Sequence, residues 1–248
     1  MTTPDPLASD LFPDLDGLVW LGLPGTDEAT TEKNFADTPN PATVSGTPSY
    51  GTGFFSCTSL SGQPTFGDLT LPASASVQDG EDYLAIVVST KETSGALMRS
   101  HGTNADAQDV ALGIYGGGTG PTSANSLLGT NAGAPSGAAD GVWPTMGASD
   151  FAVTMARGQY RGWPEVMCCE GGALGQWYAD TLRNLSSIPR RANSALWVLN
   201  PDPSGGIVID YHLTAVFRGR IPSDAELLVI LTNIMNDEAG TGFAGTIV

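Results

Sequence analysis

From Val208 onward the chain shows two periodicities in succession. Ile209, Tyr211, Leu213, Ala215 and Phe217 alternate with Asp210, His212 and Thr214, the period of two that predicts a strand with one buried face. Beyond Arg220 the period changes. Leu227, Ile230, Leu231 and Ile234 fall at i, i+3, i+4 and i+7, which predicts a short amphipathic helix. Ser223 and Glu226 have the spacing of a capping box, and Asp224 and Glu226 suit the positive end of the helix dipole.

Short apolar runs divided by Gly and Pro precede this pair. Strands are expected at 18–23, 54–57, 66–71, 97–99, 110–115, 151–155, 165–169 and 195–199. Residues 83–88 are apolar on both faces and β-branched, so they predict a central strand covered on both sides. The polar stretch 26–50, punctuated by Pro39, Pro41 and Pro48, reads as a long loop with at most one edge strand. Residues 116–141 are rich in Gly, Ala, Ser, Thr and Asn and read as a surface excursion. One helical turn or more fits 175–185. Residues 1–16, rich in Pro and Asp, are expected to be an N-terminal arm, with 17–248 as a single domain. The expected fold is all-β, a jelly-roll β-sandwich of two antiparallel sheets with a short C-terminal helix.

Composition supports this. The chain holds 32 Gly and 17 Pro among 248 residues, with only 15% charged. Its net charge of −16 opposes phosphate backbones and anionic membranes, so neither nucleic acid nor membrane insertion is expected. Three cysteines, Cys57, Cys168 and Cys169, make no disulfide framework and fit a reduced folding history. No signal sequence or run of transmembrane length is read in the chain.

The segment Ala195-Leu-Trp-Val-Leu-Asn, the Pro/Gly turn at 201–206, the strand to Phe217 and Arg220-Ile-Pro-Ser-Asp-Ala-Glu-Leu together resemble a known ending. It is that of concanavalin A-like lectin/glucanase domains of the laminin-G-like kind, where a strand and a Ser-Asp-Ala-Glu helix close the jelly roll. The resemblance spans roughly residues 17 to 240 and is most specific in the last quarter; residues 116–185 depart from it. It implies a lectin-like fold. With a short arm and an acidic Gly/Ala/Thr-rich composition, the chain further looks like a bacteriophage structural protein on a head, tail or fibre. That implies a virion location, contact with other virion proteins or with itself, and host surface polysaccharide as a ligand. A free carbohydrate-binding lectin and a polysaccharide-degrading glycosidase or lyase are the alternatives.

Candidate chemistry is sparse. Glycosidases need two carboxylates about 5–5.5 or 6.5–9.5 Å apart, and glucanases of this fold carry Glu-x-Asp-x-Glu along one strand. The one Asp-x-Glu here, Asp224-Ala225-Glu226, belongs to the helix start, so the chain is read as non-enzymatic. Asp210, His212 and Thr214, about 7 Å apart along one strand face, could line a sugar-binding groove; a solvated outer face is the plainer reading. Trp143, Tyr160, Trp163, Trp177 and Tyr178 offer rings for stacking on sugars or for packing loops and protein interfaces. No cofactor is required. Calcium stays open as the metal lectins of this fold often bind, with Asp14 and Asp16 before Gly17 as the fragment of a loop; a turn at the strand start is the alternative.

Overall fold

The computed structural model describes residues 5–58, 68–76, 81–90, 94–101, 110–117, 123–127, 138–142, 149–158, 165–179, 196–199 and 208–248. In chain order the elements are α1 (Pro6–Leu11), β1 (Leu18–Gly22), α2 (Glu28–Glu32), β2 (Thr43–Ser45), β3 (Ser49–Gly51), β4 (Phe54–Thr58), β5 (Asp68–Thr70), a 3-10 turn (Ala73–Ala75) and β6 (Tyr83–Thr90). Then come β7 (Ser94–His101), β8 (Val110–Gly117), β9 (Ser123–Leu127), β10 (Ala138–Val142), β11 (Asp150–Gly158), β12 (Glu165–Cys168) and β13 (Tyr178–Ala179). β14 (Leu196–Leu199), β15 (Val208–Arg218), α3 (Asp224–Met235) and β16 (Thr246–Ile247) end the chain.

The strands form two sheets. Sheet A runs β13-β12-β11-β6-β15-β4-β3, with β1 also on β15 and β16 on β11; sheet B runs β10-β9-β8-β7-β14-β5-β2. All pairings are antiparallel except the short β11–β16 contact. β6 is the middle of sheet A, and every residue from Tyr83 to Thr90 is buried, as its two-sided apolar pattern predicts. Its odd-numbered residues Tyr83, Ala85 and Val87 enter the core between the sheets, with Trp20, Phe55, Met98, Leu199 and Tyr211. Its even-numbered residues Leu84, Ile86 and Val88 face the other way, into a second core roofed by helices.

That second core changes the reading of the N-terminal segment. Ala8 and Leu11 of α1, with Phe12, are buried there beside Leu227, Ile230, Leu231 and Ile234 of α3. Phe12 meets Phe217 edge-on at 5.5 Å, and Asn233 donates to the Leu11 carbonyl. Residues 5–12 therefore belong to the fold, because their apolar side chains complete the cover of sheet A. Residues 26–50 hold α2, β2 and β3, so the long-loop reading is corrected: Asp27 caps α2 by accepting from the Thr30 N–H, and prolines stay outside the strands. The Gly-rich stretch read as an excursion contains β9, β10 and the end of β8, held by the ladders of β8 with β9 and of β9 with β10. Of the helical turn read at 175–185, residues 175–177 are not helical and Tyr178–Ala179 form β13; the rest lies outside the described residues.

The α3 capping box forms as its spacing predicts. Ser223 and Glu226 satisfy each other's backbone N–H groups.

β15 departs from its pattern. Between Tyr211 and Leu213 the register against β6 shifts by one residue, making His212 the extra residue of a bulge. Ile209 and Tyr211 lie in the inter-sheet core, whereas Leu213, Ala215 and Phe217 lie under the helices. The unbroken alternation thus serves both faces in turn, not one. On the side away from β6, β4 pairs with residues 208–211 and β1 with 214–217, leaving the bulge at the junction.

Candidate binding face

The bulge separates the three polar residues of β15. Thr214 turns inward, where its hydroxyl accepts from the Trp20 indole N–H at 2.9 Å. Asp210 stays on the helix-covered side and takes the Ser56 hydroxyl in a short hydrogen bond, while its own N–H donates to the Thr90 hydroxyl. His212 is 2% exposed; its Nδ1–H donates to the Gly53 carbonyl at 2.6 Å, and its ring stacks on Phe243. A shared groove of Asp210, His212 and Thr214 is therefore not formed, and neither is the solvated face read as the alternative. Two of the three groups are buried and all three are engaged within the protein.

Trp177 is half-buried against the helix-roofed core. The Arg157 guanidinium covers its ring at 3.8 Å and pairs with Glu165 at 2.6 Å, and both Arg157 and the Trp177 indole reach Asp224 at the start of α3. A cation–π contact is worth about 0.5–1 kcal/mol at such partly exposed sites. One ring face is thus already occupied, by a contact joining β11 to α3. Tyr178 enters β13 opposite Val166. Trp143, Tyr160 and Trp163 lie outside the described residues.

Asp14 accepts the Asp16 N–H at 2.9 Å, a turn closed by its own side chain. Its other oxygen pairs with Arg220 at 3.1 Å, and Arg220 also binds Glu226 of the capping box. The Ser223 N–H, the Ser223 hydroxyl and Arg220 together hold the Glu226 carboxyl down at about 2. The pair read as a calcium fragment therefore locks the N-terminal segment to α3. Among the described residues no group of three His, Cys, Asp or Glu side chains is placed to hold a metal. Cys57, Cys168 and Cys169 are buried free thiols. Burial pushes Cys168 up to about 12 and Cys169 up to about 11, so neither supplies thiolate chemistry near neutrality.

Sheet B has an outer face whose described side chains are exposed or half-buried along β2, β5 and β14. Sheet A is covered on both sides, by the inter-sheet core and by α1 and α3. On sheet B, Val44, Leu69, Met98 and Leu199 face the inter-sheet core. Their neighbours Thr43, Thr70 and Val198, paired in register, are exposed or half-buried. Met98 is in register with Ile114, and Gly113 and Tyr115 are the neighbours of Ile114 along β8. Tyr115 is then in register with Asn125 on β9, and Asn125 with Asp140 on β10. Gly113 is in register with Arg99. With strands spaced about 4.8 Å apart, the row from Tyr115 to Asp140 spans about 10 Å. Sequence reasoning missed it because pairing between three strands is invisible along the chain.

No family model and no curated protein matches the chain. Solved structures do. A receptor binding domain superposes with a TM-score of 0.59 at 10% identity, over 93% of this chain and 53% of that one. The binding domain of botulinum neurotoxin DC in complex with SialylT gives 0.57 at 10%, over 89% and 52%. A Trypanosoma rangeli sialidase in complex with sialic acid gives 0.58 at 12%, over 90% and 33%. The chain spans about half the length of those binding domains and a third of the sialidase. The fold is a β-sandwich of two antiparallel sheets. Among the described residues no helix is long and apolar enough to cross a membrane.

Proposed function

We propose that this chain is a non-enzymatic, lectin-like module that holds glycan on the outer face of sheet B, as a structural subunit of a bacteriophage virion. The glycan reading is supported by the asymmetry of the sandwich: α1 and α3 cover the face of sheet A turned away from sheet B, while Thr43, Thr70 and Val198 on the outer side of sheet B are exposed or half-buried. The row Tyr115–Asn125–Asp140 has the chemistry a sugar needs. A phenol ring suits the apolar C–H face of a pyranose, an amide both donates and accepts, and a carboxylate accepts from hydroxyls. The charge of −16 favours neutral polysaccharide over polyanionic glycans. Structures of this fold bound to SialylT and to sialic acid agree with sugar binding on such a scaffold, although each belongs to a longer chain.

The purified chain is to be tested on a glycan array, with reducing-end release measured on any polysaccharide it retains. Binding is expected, lost in Tyr115→Ala and weakened in Asp140→Asn, with no new reducing ends. Release of reducing ends would instead support the hydrolase reading, for which the sialidase likeness is the one structural argument. Binding unchanged in both variants would remove the site from this face. The virion assignment rests on composition and on the reduced, buried thiols, and a gene neighbourhood without virion genes would overturn it.

A further inference from the structure

After α3 the chain folds back over the covered side of sheet A. Asp237, at φ 50°, takes the Thr241 N–H, the Thr241 hydroxyl and the Gly242 N–H on its carboxylate. Phe243 then lies flat on the His212 ring, at 3.7 Å and 18°, and edge-on to Phe151 at 4.9 Å. Gly53, at φ +71°, leaves room for this: a Cβ there would come within 3.0 Å of the Phe243 Cα. The Gly53 carbonyl accepts the His212 Nδ1–H. Beyond, Thr246 and Ile247 pair with Asp150 and Phe151, and the Val248 N–H donates to the Phe151 carbonyl. One imidazole thus stands where the β15 bulge, the turn before β4 and the C-terminal segment meet.

We infer that His212 is an acid-operated latch on residues 237–248: neutral, it keeps the segment docked on Gly53, Phe151 and its own ring, and on gaining a proton it releases the segment. The groups around it set the balance. Burial disfavours its charged form most and lowers its pKa, against the opposing pull of the Gly53 carbonyl and the Asp237 carboxylate. Asp210, two residues back on β15, is engaged by Ser56; Ser89 of β6 is neutral; Asp150 heads β11 and pairs there with Thr246. Released, the imidazole is solvated and titrates near its ordinary value of about 6.5. Docking is therefore strongest above about 6.5 and weakens as pH falls toward the lower docked value, tenfold for each unit between the two. The segment is held to the sandwich by Ala239, Phe243 and Ile247 on the helix-roofed core and by the pairing of Thr246, Ile247 and Val248 with β11, while the Asp237 carboxylate ties the segment to itself. Its departure uncovers the ring of Phe151, so the surface becomes more apolar in acid.

Hydrogen exchange of residues 237–248, corrected for intrinsic rates, is to be followed from pH 7.5 to 5 alongside an NMR titration of the two imidazoles in the chain. Protection in the wild type is expected to fall as pH drops below about 6.5, with the same midpoint as His212. His212→Asn, which keeps a donor for Gly53 but cannot titrate, should stay protected throughout, and Phe243→Ala should lack protection at both ends. Unchanged wild-type protection would overturn the latch, as would an equal fall in His212→Asn. So would titration of His212 with the segment still docked, the result expected if Asp237 holds the imidazolium in place. Should His212→Asn fail to fold, the coincidence of the two wild-type midpoints decides.

Discussion

Single side chains reinforce joints that the strand ladders of this sandwich already make. Trp20 and Thr214 bond across β1 and β15 inside the inter-sheet core, both fully or nearly fully buried. Thr214→Val should leave the indole N–H unsatisfied and cost about 1–3 kcal/mol in urea denaturation, with little change in slope. Ser223→Ala should cost about 1 kcal/mol, seen as a lowered Tm. Glu226 adds a pH dependence of definite sign. Its carboxyl is held at about 2, below its ordinary 4.5, so its stabilising effect is complete above about 4.5 and is lost as pH falls toward 2. An acid titration of Tm in the wild type and in Glu226→Gln should differ in that window. The three thiols should resist a thiol reagent at pH 8 in the native protein and all react after unfolding; rapid native labelling of Cys168 or Cys169 would contradict their burial.

Elements differed in how far the residues announced them. α3 was legible because period, cap and dipole charges agree within a dozen residues. β6 was legible because apolar residues on both faces leave a strand only one place, inside a sheet. β15 was half legible. Its period of two survives the bulge in print, since His212 adds one residue and the faces exchange roles without any break in the alternation. Both faces are apolar in depth, so no polar residue out of place betrays the exchange. The N-terminal segment misled for another reason: Pro6 opens α1 as a first-turn proline, and Leu11 with Phe12 supplies the apolar load. Phe12→Ala should therefore behave as a core truncation, costing about 3–5 kcal/mol. An arm free of the fold would tolerate it.

At the scale of the whole molecule, the expected all-β sandwich with a short C-terminal helix is what the chain forms. The candidate binding residues were less legible. Trp177 and Asp14 have the chemistry of ligand-binding groups, yet each is engaged, one by Arg157 and the other by Arg220, and only the folded geometry shows which arginine comes near. The row on sheet B joins residues 10 and 15 positions apart in sequence, a relation that depends on register.

The packing of the two chain ends has its own consequence. The Asp5 N–H is tied to the Phe35 carbonyl and the Val248 N–H to that of Phe151, and both Phe35 and Phe151 belong to the helix-roofed core. Anything joined to this domain, whether a neighbouring subunit, a fused tag or a solid support, is tethered from behind. Mounted by either end, the domain is held on its helix-roofed side, so immobilisation through a terminus turns sheet B away from the support.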